Sequence, residues 1–459
     1  MSDGTKPSAD AAAERMRVAA AQGCAESRLL LTRRAMLGVT AGLFSAATLP
    51  RDAFAATDGD ARLLVVVLRG GMDGLSVVPP VGDPAYANLR RDIAIPAAKA
   101  IRLDGDFALH PAMAQFGKLY AAGEAAVVHA TCTPLRVRSH FECQDNLENG
   151  LPGAGSAVAT GWLNRLLAAL PAGDPVARHG AIQVGDAPLI LRGSAPVLGW
   201  SPTWFSDAER DTTRRLLAAY KATDRVLYDT LSRGLEADAL AEKSGAGGDD
   251  DISQLRKGFR GAARLLAAAD GPRIAVLSVG NWDTHSGQGG VEGFLAERLA
   301  ELDEALGDFR TESGKNWGKT VVVCVTEFGR TARVNGDGGT DHGVGTVALL
   351  AGGAVAGGKV VAKWPGLAPS KLFEDSDLTA TTDLRAVFKG ILRDHLGVPT
   401  AMLARSIFPD SAKVKPLGGL VSGSRAKTAA AEVASAGPDV PARAMSPIAR
   451  YRAQLRGAL

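Results

Sequence analysis

The chain has 459 residues, 46% of them hydrophobic and 22% charged, which is enough for one large domain or two ordinary ones with a buried core. A net charge of +3, with no basic stripe interleaved with aromatics, argues against a nucleic-acid partner.

The first segment reads as a targeting sequence. Arg33 and Arg34 precede an apolar stretch over 35–49, and Ala53-Phe54-Ala55 has the form of a cleavage site. The stretch is shorter than the roughly 20 residues a spanning helix needs. Thr32-Arg33-Arg34-Ala35-Met36-Leu37 has the arrangement of a twin-arginine signal, against the plainer reading of a short membrane anchor. The expectation is a signal peptide over 1–55, use of the twin-arginine export machinery, a mature chain with no stable transmembrane segment, and a periplasmic or secreted location. Of four cysteines, Cys24 leaves with the signal. Cys324 reads as a small core residue, and a Cys132–Cys143 bridge is left open.

Arg62–Leu68 is apolar after its first residue and reads as a buried strand, followed by the glycine-rich turn Arg69-Gly70-Gly71-Met72-Asp73-Gly74. A proline-rich loop covers 79–96. Met113, Phe116, Leu119 and Tyr120 recur at helical spacing within a helix expected over 110–122. A strand over 125–131, helices over 139–149 and 161–170, and a strand over 181–184 follow. Ser206-Asp207-Ala208-Glu209 forms a capping box for a helix expected to run to about Ala239. A break at 243–251, a helix over 252–268, a strand over 274–279 and a helix over 292–313 come next.

The β-branched run after Thr320 reads as a strand buried on both faces, and Val347–Ala351 as another. A last helix covers 382–396, and after about Gly418 the composition suits a loose tail, giving expected divisions at 1–55, 60–415 and 416–459. Strands alternating with helices predict a mainly parallel sheet covered on both faces.

The polar residues gather at strand ends, where open α/β sheets place their sites. The first strand delivers Asp73, the strand over 274–279 delivers Asp283 and His285, and the strand after Thr320 delivers Glu327 and Arg330. The loop beyond delivers Asp341 and His342. Imidazole and carboxylate together suit a divalent cation. Each residue also has a plain structural reading: a turn former for Asp73, a cap and surface histidine for Asp283 and His285, an ion pair with Arg330 or Arg333 for Glu327. His140 stays open between a ligand and a packed histidine. His110, His129, His179 and His395 read as structural, being isolated from other polar groups.

Five ordered motifs carry a resemblance: Leu68–Gly74, Arg138-Ser139-His140-Phe141, Trp282-Asp283-Thr284-His285, Glu327-Phe328-Gly329-Arg330-Thr331 and Thr340-Asp341-His342-Gly343. Together, from about Leu63 to Phe408, they resemble the DUF1501 family of bacterial proteins, and more distantly the alkaline phosphatase/sulfatase superfamily. The resemblance implies an α/β, alkaline-phosphatase-like three-layer sandwich. It implies a metal site of Asp73, Asp283, His285, Glu327, Asp341 and His342 holding zinc, manganese or calcium. Phe328 stands where the superfamily has a histidine, which implies one cation or none in place of two.

Cys132-Thr133-Pro134-Leu135-Arg136 superficially resembles the sulfatase C-x-P-x-R signature. Ser139 is nevertheless the preferred nucleophile, ahead of Thr133 and Cys132, with Arg136, Arg138 and Arg330 to pair with a phosphate or sulfate. The function implied is an exported, metal-dependent hydrolase of small anionic esters. The alternative is a non-catalytic binding or cell-surface assembly protein on the same scaffold.

Overall fold

The computed structural model describes residues 60–153, 160–186, 188–202, 210–247 and 252–422. The twin-arginine segment, the capping box at 206–209 and the chain beyond 422 lie outside the described residues.

In chain order the principal elements are β1 (Arg62–Leu68), α1 (Gly74–Val77), α2 (Ala114–Ala121), β2 (Ala125–Cys132), α3 (His140–Asn149), α4 (Trp162–Ala169), β3 (Ala181–Val184) and β4 (Leu198–Trp200). Then come α5 (Arg210–Thr223), α6 (Arg225–Ser244), α7 (Gln254–Ala267), β5 (Ile274–Val279), α8 (Phe294–Ser313) and β6 (Thr320–Val325). The chain goes on with β7 (Gly329–Arg330), β8 (His342–Gly343), β9 (Thr346–Ala351), β10 (Lys359–Val361), β11 (Thr382–Asp383) and α9 (Leu384–Leu396).

Among the described residues nine strands form the main sheet, in the order β10-β2-β9-β6-β1-β5-β3-β4, with β11 also paired to β2. All neighbours run parallel except β9, which is antiparallel to both β2 and β6. The sequence of β1 shows no polar alternation because both of its faces are covered. Leu64, Val66 and Leu68 enter one core with Phe116 of α2, Phe259 of α7 and Leu299 and Leu302 of α8. Leu63, Val65 and Val67 enter a second core with Trp162 and Leu166 of α4 and Val387 and Phe388 of α9. The result is a three-layer α/β sandwich. On α8, Leu295, Leu299, Leu302, Leu306 and Phe309 recur at helical spacing and are all buried, each leucine worth about 1.5–3 kcal/mol.

Two expectations change. The single long helix divides at Asp224, whose backbone is extended and whose carboxylate accepts from the N–H groups of Val226 (2.9 Å) and Leu227 (3.0 Å), capping a new helix. The folded region also runs past 415: Leu420 and Val421 are buried, and Ser422 N–H donates to Ala354 O at 2.8 Å. Cys132, Cys143 and Cys324 are all buried free thiols, so the bridge left open is not formed. Among the described residues, no helix is long and apolar enough to cross a membrane.

Strand direction positions the site. β2, β6, β1 and β5 are parallel, so their C-terminal ends share one edge of the sheet. β9 runs the other way, so its N-terminal end meets the same edge. The segments after β1, β2, β5 and β6 and the segment before β9 therefore converge.

Candidate metal centre

Four side chains meet at this edge. His140 is the first residue of α3, Asp283 and His285 lie in the loop after β5, and His342 sits in β8. The Nε2 atom of His342 lies 3.0 Å from Nε2 of His140 and 2.9 Å from Nε2 of His285. Oδ1 of Asp283 is 3.2 Å from Nε2 of His342 and 3.1 Å from Nε2 of His285, and its Oδ2 is 3.3 Å from Nε2 of His140.

The other ring nitrogens fix the tautomers. Nδ1 of His140 faces Glu327 Oε1 at 2.8 Å, Nδ1 of His285 faces Asp341 Oδ1 at 3.3 Å, and Nδ1 of His342 faces the Arg138 carbonyl at 3.0 Å. All three partners are acceptors, so each Nδ1 carries a proton, and each Nε2 points inward with a lone pair in the neutral ring or a second proton in the imidazolium. Three imidazole lone pairs and a carboxylate at such separations repel unless positive charge lies among them. An acceptor behind each ring is also the usual support for a metal-bound histidine.

The acid–base properties follow from this crowding. Burial works against protonating His140, yet its bonds to Asp283 and Glu327 push its pKa up to about 9. His285 is raised chiefly by its bond to Asp283. Burial opposes the ionised form of Asp283, but three imidazoles and the Arg330 charge hold its carboxyl far below the usual range. The cluster attracts a proton or a cation to the same lone pairs. Three imidazole nitrogens and one carboxylate suit zinc or manganese; calcium, of the three cations expected, prefers oxygen ligands throughout.

The sequence-predicted residues divide into three groups. Asp283, His285 and His342 contribute inward-facing donor atoms, and Asp341 stands behind His285. Glu327 is fully buried behind His140, receiving N–H of Gly70 at 2.8 Å and the Thr326 hydroxyl at 3.0 Å. This corrects the expectation of Glu327 as a direct ligand: its oxygens orient the His140 ring and are occupied by hydrogen bonds.

Asp73 is corrected also. Its carboxylate is fully buried and bidentate with Arg90 at 2.7 and 2.8 Å, and it accepts from Ser76 at 2.8 Å and Gln288 at 2.7 Å. It therefore serves as a structural ion pair and the N-cap of α1.

The arginines expected to bind an anion are engaged elsewhere. Arg138 pairs with Asp377 and Glu374. Arg330 is buried and donates to the carbonyls of Gly71 (2.7 Å), Gly70 (2.7 Å), Thr340 (3.1 Å) and Trp282 (3.2 Å) and to the Asp283 carboxylate. Arg136 reaches the Ala380 carbonyl at 3.2 Å. Ser139 is the N-cap of α3 and makes no side-chain capping bond, which leaves its hydroxyl uncommitted to the helix. Cys132 and Thr133 are buried at the end of β2.

Phe328, the residue expected to stand in place of a histidine, packs with its ring 4.7 Å from that of His140 and 4.8 Å from that of His342. Gly71 makes room for it. The backbone there has φ +71°, and a Cβ would stand 2.4 Å from the Phe328 ring. Sequence reasoning left His140 undecided. The signal that could have placed it is its position after a strand ending at the same edge as those carrying Asp283 and Glu327.

The chain matches the family described as proteins of unknown function, DUF1501, over residues 60–403, and it belongs to that family. No curated relative matches it. Among solved structures it is similar to a phosphonate monoester hydrolase of Agrobacterium radiobacter at 12% identity and a TM-score of 0.32, covering 74% of each chain. It is also similar to the lipoteichoic acid synthase LtaP from Listeria monocytogenes (10%, TM-score 0.34, covering 78% of this chain and 77% of the other). A third is the PsFucS1 sulfatase from Pseudoalteromonas sp. (13%, TM-score 0.29, covering 66% and 64%).

Proposed function

We propose that this protein is an exported hydrolase of phosphate or sulfate esters dependent on one divalent cation, held by His140, His285, His342 and Asp283. The observation that carries the reading is the inward convergence of three Nε2 atoms on one carboxylate, each ring backed by an acceptor. When bound, such a cation supplies Lewis acidity toward an ester oxygen. The chain's own residues do the rest. Arg330 holds Asp283 ionised and fixed, while Glu327, Asp341 and the Arg138 carbonyl hold the rings. About two fifths of each of the Asp283 and His285 side chains faces solvent, which gives a substrate access. Ser139, beside His140 with its hydroxyl free of the helix cap, is the candidate nucleophile.

Metal analysis of the purified protein tests this. The reading expects about one equivalent of zinc or manganese, lost in an Asp283→Ala/His285→Ala variant, and turnover of aryl phosphates or aryl sulfates that falls with it. A metal-free, fully folded protein would refute it. A second reading, a non-catalytic binding or cell-surface assembly protein, draws support from Phe328 packed against two of the rings and from Asp73 sealed by Arg90. Bound metal without turnover of either ester class would favour it. For export, Arg33→Lys with Arg34→Lys should leave precursor in the cytoplasm, and unchanged export would exclude the twin-arginine route.

A further inference from the structure

α3 carries His140, Gln144 and Glu148 at four-residue spacing, so they line one stripe of the helix. His140 donates to Glu327 Oε1, and Gln144 Nε2 donates to the same oxygen at 2.9 Å. A glutamine amide has a donor end and an acceptor end, and only the donor end suits a carboxylate. Arg69 decides which end faces Glu327. Its Nη1 donates to Gln144 Oε1 at 2.6 Å, and a guanidinium has no acceptor to offer. The amide oxygen must therefore face Arg69, and the NH₂ group must face Glu327.

Arg69 is itself held on two further sides. Its Nε donates to Ser278 Oγ at 2.6 Å, and its Nη2 pairs with Glu148. Glu148 is buried, and its other oxygen accepts from the Ile190 N–H at 2.9 Å. The chain of bonds runs from β5 and the Ile190 loop through Arg69 and Gln144 to Glu327 and the His140 ring.

We infer that Arg69 and Gln144 are positioning residues that lock Glu327 onto His140 and so fix the direction and donor strength of that imidazole. Their importance for cation binding rests on the metal reading above, whereas the relay itself stands on hydrogen bonds. Without Gln144 the carboxylate loses a donor and gains freedom to turn. Without Arg69 the amide can flip and set its oxygen against Glu327.

The test uses the full chain and cobalt(II) as the probe, with affinity measured by competition against a chelator. Gln144→Leu should weaken binding about tenfold, as losses behind a metal-bound histidine do. Arg69→Met should weaken it too, and the double variant should be no weaker than Gln144→Leu, because Arg69 acts through Gln144. Arg69→Lys, which keeps a donor, should restore most of the loss. In the metal-free protein, the His140 Nδ1 proton should exchange slowly by NMR in the wild type and faster in Gln144→Leu at unchanged melting temperature. Additive losses, or variants matching the wild type in both affinity and proton exchange, would overturn the relay. A wild type that binds no cobalt but shows Gln144-dependent protection of the His140 proton would uphold the relay and overturn the metal reading instead.

Discussion

Replacing Arg90 by methionine separates the two roles proposed for Asp73. Both side chains of this pair have no exposed surface, and two guanidinium nitrogens approach the carboxylate at 2.7 and 2.8 Å. Arg90→Met keeps most of the apolar stem but leaves Asp73 ionised and buried with only Ser76, Gln288 and the Leu75 N–H at 3.2 Å as donors. Removing one partner of a buried pair costs about 3–5 kcal/mol. Unfolding entropy of about 2.1 cal/mol/K per residue over the roughly 345 described residues converts this to a fall in melting temperature of about 4–7 °C.

Burial disfavours the Asp73 carboxylate, yet the Arg90 charge together with hydrogen bonds from Arg90, Ser76 and Gln288 outweighs it and holds the pKa below the usual value. A lowered carboxyl pKa contributes stability that is present above the unfolded value of about 3.9 and lost as pH falls below it. Calorimetry of wild type and variant at pH 7 therefore reads the whole effect. Removing both charges, as in Asp73→Asn with Arg90→Met, should recover part of the loss. The reasoning fails if Arg90→Met melts with the wild type, or if it loses bound metal while its stability is unchanged.

Other outcomes follow from the same geometry. Glu327→Gln should weaken zinc binding by about 10–100-fold and His342→Ala by more, since one loses support behind a ligand and the other loses a donor atom; chelator competition measures both. Gly71→Ala should destabilise the fold by about 2 kcal/mol or more in urea denaturation, because the new Cβ meets the Phe328 ring and the backbone is left-handed there. Burial lowers the His129 pKa to about 4, and both of its nitrogens are engaged, one with Val78 O at 3.0 Å and one with the Ala130 N–H at 2.8 Å. Between the unfolded value of about 6.5 and this folded value, the unfolded chain binds the extra proton, so stability falls as pH falls. The loss is about 2 kcal/mol by pH 5, and urea titrations of His129→Gln should show a correspondingly flatter acid side.

The strands were legible because β1 and β6 must be apolar on both faces, and an unbroken β-branched run has few other uses. In the main sheet the strands that escaped notice are β4, β10 and β11, two or three residues long and largely half-buried, where nothing forces a pattern on the sequence. That Asp283, His285 and His342 meet at one edge of the sheet was readable from their places at strand ends. The place of Glu327 at the same edge was readable too, but sequence holds no sign of whether a carboxylate faces inward or the back of a ring. The partner of Asp73 was hidden because Arg90 lies 17 residues away in a stretch of proline-rich turns. The helix division at Asp224 was missed because an aspartate within a helical pattern is ambiguous until its backbone turns extended.

The bonding of Arg330 has a wider consequence. One guanidinium fastens the turn after β1, the loop after β5 and the approach to β8 to a single point beneath Asp283. Those segments cannot rearrange one at a time without stranding a buried cation. The receptacle is thus completed by folding, before any guest arrives. Empty and filled forms should superimpose closely, and arrival of an ion should still the imidazole rings while the backbone around them keeps its course.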